Sequence, residues 1–406
     1  MNSGNPTDNP IPPRLRIKAL MGAAATLAAG TLLGLALLEV VLYINPSLLL
    51  PGMALPSPSD PRLEVREYDV WLSDADVFFW MPERIRPIPP EGDAVEARVR
   101  FETDELGFAN AAPLPDEVDL VVLGRSYSLG AQAETPWPRL LVKRYGWRVM
   151  NLSQPGSGLD TKLSYLRRFG LPRNPTWVVL EVLPSMDVLG YEDTPALVVR
   201  RLVAPVVRES FRRLEVAASP VSAPPMYPIA LSLPGGDQEL VFFDHYVSAV
   251  SASRGDITGS RSWSRFQDDL RAMIDLVQEA GSCMAMLYAP TNAEIYFSLA
   301  READQLLPVV EGLPTWHLNG RGELALDRTT DPDVETLRSR VFVMRDLLRE
   351  VAREQGLVFI DPTDAMMEAV LAGRTPFMRY DTHWSAEGHE IVASLVENGL
   401  ADANCP

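Results

Sequence analysis

The stretch DLVVLGRSYSLG, Asp119 to Gly130, decides how the rest of the chain reads. A buried strand of a parallel sheet is an unbroken apolar run, and Leu120 to Leu123 is one. Gly124 then forces a sharp turn at the strand's carboxyl end, where open α/β sheets gather their ligands. Ser126 sits in that turn, on a rigid element, with its hydroxyl facing a crevice. A serine after a strand can equally do no more than cap the next helix. Taken alone, the stretch leaves both readings open.

Working outward, the 406 residues are enough for a large core, in two domains or in one with insertions. The net charge of −17 repels phosphate backbones and argues against a nucleic-acid partner. Prolines concentrate between Asn45 and Pro90 and from Ala204 to Pro234. The two cysteines, Cys283 and Cys405, form neither a metal cluster nor a disulfide framework. A single bridge is open to them outside the cytoplasm, but the apolar run around Cys283 favours a buried thiol.

At the amino terminus, residues 1–18 read as a cytoplasmic tail, polar and proline-rich as far as Pro13. Arg14, Arg16 and Lys18 precede an apolar run over residues 19–44, long enough to cross a bilayer as a helix. A cleaved signal peptide is the alternative. Its small-residue site, Ala23 and Ala25, stands at the wrong end of the run, so an uncleaved anchor is expected, with everything after Ile44 outside the cytoplasm. Residues 45–65 read as a semi-rigid linker and 66–115 as an amino-terminal flap. The main domain spans 116–400.

Within it, strand candidates are Leu120–Leu123, Val149–Leu152, Trp177–Leu183, Met284–Tyr288 and Val358–Ile360. Helical stretches alternate with them at Trp137–Tyr145, Leu159–Phe169, Trp263–Glu279 and Val334–Glu354. This rhythm predicts an α/β fold with a mostly parallel sheet. Residues 188–256 break it and read as an insertion over the sheet's carboxyl edge, with a hairpin-like stretch from Leu231 to Phe243.

Activating a serine takes a base, and the base takes an orienting partner. Of the four histidines, His383 lies in RYDTHWSAEGH, with Asp381 two residues before it and Ser385 capping the following helix. Asp381 can fix the tautomer that leaves Nε2 of His383 available. The bland reading makes His383 a capping or core histidine. His389 reads as a helix-surface residue, and His245 and His317 have no carboxylate at a comparable spacing. NLSQPGSG, Asn151 to Gly158, ends its strand in a glycine turn where a bare N–H can approach an oxyanion.

With these blocks in order over roughly Phe101 to Leu400, the chain resembles the SGNH/GDSL hydrolase superfamily. The resemblance implies a flavodoxin-like, doubly wound, mostly parallel five-stranded sheet, here preceded by a transmembrane helix. It carries over Ser126 as nucleophile, His383 as base, Asp381 as its partner, and the backbone N–H groups of Ser126 and Gly156 as oxyanion donors. No cofactor or metal is implied. The D-x-H-W spelling is partly similar to alginate-type polysaccharide O-acetyltransferases, in which that block precedes the serine. Two departures stand out. Arg125 replaces the aspartate before the serine, and Ser185 or Met186 stands where the third-block asparagine belongs. Arg125 either compensates as an oxyanion or substrate-binding cation or pairs with a carboxylate. Trp384 is a candidate for stacking on a sugar, and Met186 for substrate contact. The expected function is an extracytoplasmic, membrane-anchored serine esterase or O-acyltransferase acting on acylated carbohydrate or a small ester, with a membrane acyltransferase as a candidate partner. The alternative is a degenerate member that binds a glycan or that partner.

Overall fold

The computed structural model describes residues 65–71, 95–102, most of 104–189 and most of 226–405, with Gly30, Thr31 and Gly34 near the amino terminus. The remainder of the 19–44 run, residues 190–225, Gly156 and Asp381 lie outside the described residues. No helix among the described residues is long and apolar enough to cross a membrane. The chain divides into two units, one formed by Met1–Ser57 with Asp193–Val221 and the other by Pro58–Glu192 with Ser222–Pro406.

Its strands in chain order are β1 (Val65–Trp71), β2 (Val95–Glu102), β3 (Leu120–Leu123), β4 (Val149–Asn151), β5 (Trp177–Val182), β6 (Met226–Leu233), β7 (Gly236–Phe243), β8 (Cys283–Tyr288), β9 (Thr315–Leu318), β10 (Leu324–Asp327) and β11 (Val358–Ile360). Five of them form one parallel sheet in the order β11-β8-β5-β3-β4. Counting only these five along the chain, the order from the other edge is 2-1-3-4-5, the flavodoxin-like winding. The strand order reverses beside β3, so the crevice of such a sheet opens at the carboxyl end of the strand that leads to Ser126. All five strands coincide with the apolar runs of the sequence to within a residue at either end.

Alternation along each strand sends side chains to two cores. Leu120, Val122, Val179, Ala285 and Leu287 face one, with Trp137, Val392 and Val396 from helices Trp137–Leu140 and Ala386–Ala401. Val121, Leu123, Val178, Leu180 and Met286 face the other, with Phe266, Leu270 and Val277 of helix Arg261–Glu279. Both faces are therefore covered, which is why these strands read as continuous apolar runs rather than alternating ones. The helical stretch expected over Val334–Glu354 is broken into Val334–Arg340 and Val343–Glu354.

β6 and β7 form the hairpin expected around Gly235 and Gly236, with Leu233 paired to Gly236. Its second strand reaches the carboxyl-terminal loop, where Val241 N–H donates to the Arg379 carbonyl at 2.8 Å. A short helix, Asp244–Ala249, follows directly.

Cys283 and Cys405 form a disulfide across 122 residues of sequence. The apolar surroundings of Cys283 favoured a buried thiol. The sequence could not foresee that the chain end returns beside β8, which corrects that reading.

Candidate active site

The Ser126 turn is built by close packing. A Cβ at Gly124 would lie 2.6 Å from Ser128 Cβ and 2.7 Å from Ser153 Oγ, so only glycine lets the chain turn here. Ser126 then opens the short helix Ser126–Leu129, partly exposed while the next three residues are buried. Gly130 ends it at φ +64, in the left-handed region, where a Cβ would meet Pro136 Cβ at 2.2 Å. Serine at the exposed start of a helix with a buried remainder is held firmly while its hydroxyl stays accessible.

The second loop is a tight excursion of the chain. Phe377 and Trp384 form an antiparallel bridge, Met378 N–H donates to the His383 carbonyl at 2.8 Å, and Ser385 caps helix Ala386–Ala401. Between them Thr382 has φ +67, an outlier for a β-branched residue. Strain of this kind costs about 1–3 kcal/mol and persists where surrounding contacts impose it. Here the contact is Tyr127, whose hydroxyl donates to the Thr382 carbonyl at 3.2 Å. The Tyr127 ring lies 4.9 Å from the imidazole of His383 and 4.9 Å from the indole of Trp384. Thus the residue next to Ser126 seats the loop that carries His383. Nε2 of His383 is buried and makes no hydrogen bond in this structure. Catalytic hydrogen bonds commonly tighten only once substrate is present. Asp381 and Gly156, expected as orienting carboxylate and oxyanion donor, lie outside the described residues.

Arg125 follows the second of its two readings. Its side chain is 7% exposed, its Nε donates to Asp187 Oδ1 at 2.8 Å, and one Nη donates to the Met186 carbonyl at 3.3 Å. A guanidinium so committed is unavailable to a substrate or oxyanion, which corrects the expectation that it binds either. Lys162 Nζ reaches both Asp187 oxygens at 3.2 Å and donates to the Glu181 carbonyl at 2.9 Å. Glu181 in turn accepts from the Arg125 N–H at 2.9 Å. Two cations and two carboxyls are therefore buried together beneath the Ser126 turn. Burial alone would raise Asp187, yet Arg125 and Lys162 outweigh it and hold the carboxyl below its ordinary range. Burial raises Glu181 and lowers Lys162. A charged residue inside the apolar run of β5 was the available signal, because a buried carboxyl requires partners.

Trp384 is fully buried against Tyr127 and His389, so it packs the core and does not present its indole to a sugar. Met186 is half-buried against the same core and contributes its carbonyl to Arg125. His389 is buried, not on the helix surface, and its Nδ1 accepts from the Trp137 N–H at 3.3 Å. Burial, then the nearby charge of His383, lowers it to about 3. His317 lies exposed on β9. His245, which lacks the aspartate-two-before spacing of His383, is carried by the hairpin that bonds the His383 loop and comes within electrostatic reach of His383. Burial, then His383, lowers it to about 4.

Sequence reading also missed a polar lattice behind the turn. Asn110 donates to Asp104 at 2.7 Å and to the Asn151 carbonyl at 3.1 Å, and accepts from the Asn151 N–H at 2.7 Å. Asn151 Nδ2 donates to the Ser128 carbonyl at 2.9 Å. The segment around FETDELGFAN is thereby tied to the helix that Ser126 opens. No group of three or more His, Cys, Asp or Glu side chains able to hold a metal ion occurs among the described residues.

Solved structures give the chain its likenesses. They are to GDSL-type lipases and acyl esterases. One is a GDSL-like lipase from Bacteroides thetaiotaomicron, 10% identical, covering 73% of this chain and 94% of that one with a TM-score of 0.35. Another is an acetylxylan esterase from Geobacillus stearothermophilus, 11% identical, covering 70% and 94% with a TM-score of 0.35. No protein-family model matches the chain, and no curated protein does.

Proposed function

We propose that this chain is an SGNH-type serine esterase or O-acyltransferase that works outside the cytoplasm on acylated carbohydrate or a related ester. The observation that carries the reading is the meeting of two loops 255 residues apart, where Tyr127 hydrogen-bonds and packs against the loop of His383 at the reversal point of a flavodoxin-like sheet. In this reading Ser126 Oγ attacks the ester carbonyl carbon while His383 takes the hydroxyl proton. The carbonyl π pair moves onto oxygen, held by the backbone N–H groups of Ser126 and Gly156. The C–O bond to the alcohol then breaks, and the alcohol leaves with the proton from His383. The acyl group passes from Ser126 to water in an esterase, or to a sugar hydroxyl in a transferase. Asp381 orients the imidazole.

The disulfide supports an oxidising compartment, and the basic residues before the apolar 19–44 run support an anchor with this domain outside. The glycan substrate and a membrane acyltransferase partner rest on the resemblance of the sequence blocks. Full-length chain in detergent should hydrolyse a chromogenic acetyl ester and label with a fluorophosphonate. Both activities should vanish in Ser126→Ala, and turnover unchanged by that substitution would end the proposal. Arg125 in place of the aspartate, held by Asp187, and the missing third-block asparagine favour a second reading, a glycan-binding descendant with a dead site. Absence of labelling together with measurable glycan binding would select it.

A further inference from the structure

His245 has no task in the proposed ester chemistry of Ser126 and His383. β7 reaches the carboxyl-terminal loop through Val241 and Arg379, each four residues before a histidine, His245 and His383. The helix that follows puts the His245 ring 4.1 Å from Tyr246 and 5.7 Å from Phe243. Tyr246 in turn lies 6.4 Å from Tyr127, the residue that packs on His383. His245 is therefore one ring removed from Tyr127 and within electrostatic reach of His383, on an element that is not part of the five-stranded sheet.

Its nitrogens make no hydrogen bond to the described residues, and the ring keeps partial exposure. Meanwhile the two residues that stand for the absent asparagine supply no side-chain N–H. Ser185 lines a small cavity with Thr291, Glu294 and Arg340, and Met186 carries no donor. Arg125 is held by Asp187.

We propose that His245 donates its imidazole N–H to the acyl carbonyl oxygen and holds the oxyanion formed there, filling the donor position that Ser185 and Met186 leave empty. This rests on the ester reading of Ser126. A neutral imidazole always carries one N–H, and a ring near pKa 4 stays neutral where His383 must cycle its proton. In the step itself, the Ser126 Oγ–C bond forms, the carbonyl π pair moves to oxygen, and the hydroxyl proton goes to His383. His245 gives a hydrogen bond and transfers no proton.

The test uses the full chain in detergent with a chromogenic acetyl ester. His245→Ala should lower kcat about 100-fold with KM changed by no more than about twofold, as expected for a donor used only in the transition state. His245→Gln, which keeps an N–H donor, should recover about tenfold of that loss. Should the alanine variant fail to fold, His245→Met against His245→Gln makes the same comparison between a side chain without a donor and one with it. Wild-type kcat in a folded donor-less variant, a rise in KM alone, or glutamine no better than the donor-less variant would overturn the inference. A wild-type chain that neither turns over ester nor labels at Ser126 would remove the ester reading itself, and this inference with it.

Discussion

Arg125 shows how one position can change chemical type without leaving its place. Its guanidinium lies between the Ser126 turn and the loop after β5, and Asp187 and Lys162 complete a buried network with Glu181. Breaking a buried pair from one side strands a charge, at a cost of about 3–5 kcal/mol. Asp187→Ala, which strands two cations, should lose that much in urea unfolding, and Arg125→Met a comparable amount. Because the folded carboxyl of Asp187 sits below its unfolded value, its contribution is present above the unfolded pKa and fades as pH falls through the folded one. The parent should therefore lose stability on the acid side more steeply than Asp187→Asn. Tyr127 is the other deciding residue. Tyr127→Phe removes the hydrogen bond to the Thr382 carbonyl while keeping the ring against His383. It should cost about 1 kcal/mol of stability and, on the ester reading, lower kcat more than KM, since it loosens the loop carrying His383.

Helix Asn292–Leu299 is opened by a reciprocal cap in which Thr291 accepts from Glu294 N–H and the Glu294 carboxylate accepts from Thr291 N–H at 2.7 Å. Tyr288 hydrogen-bonds the other carboxyl oxygen. Burial pushes Glu294 up to about 7 against the pull of these donors. Between about pH 4.5 and 7 the unfolded chain releases a proton that the folded one keeps, so folding stability falls as pH rises through that window and levels off above it. Glu294→Gln keeps an acceptor for Thr291 and offers an N–H to Tyr288. It should abolish that slope and gain up to about 3 kcal/mol over the parent at pH 8, with little gain at pH 4, in urea titrations at each pH. Elsewhere Ser260 caps helix Arg261–Glu279 by accepting from Trp263 N–H at 3.1 Å. Ser260→Ala should cost about 1 kcal/mol, read from the shift in urea midpoint.

The disulfide ties the segment after helix Ala386–Ala401 to β8, a strand inside the sheet. A bridge closing so long a loop typically contributes about 2–4 kcal/mol. Reduction, or Cys405→Ser, should lower the thermal midpoint by several degrees, and the two treatments together should add nothing further. Since helix Ala386–Ala401 begins three residues beyond His383, slack at its far end should also broaden the approach of His383 to Ser126. Ester turnover in the reduced protein is therefore expected to fall along with its stability.

The sheet was legible because each of its strands is buried on both faces, so its apolar run is continuous and its length unambiguous. The places of Ser126 and His383 in the fold were legible because a polar residue at the carboxyl end of such a strand, and a histidine just ahead of a well-capped helix, are both local signals. The fate of Arg125, Trp384, His389, His245 and Cys283 was not. Whether a guanidinium is buried or solvated depends on Asp187 and Lys162, 62 and 37 residues away. His245 gains its neighbour only because a hairpin folds back onto residue 379. Periodicity and capping are written in contiguous residues, and the sequence alone determined what they control. Charge pairing, burial of a particular ring and closure of a disulfide depend on contacts between distant segments, and only the tertiary structure decided them.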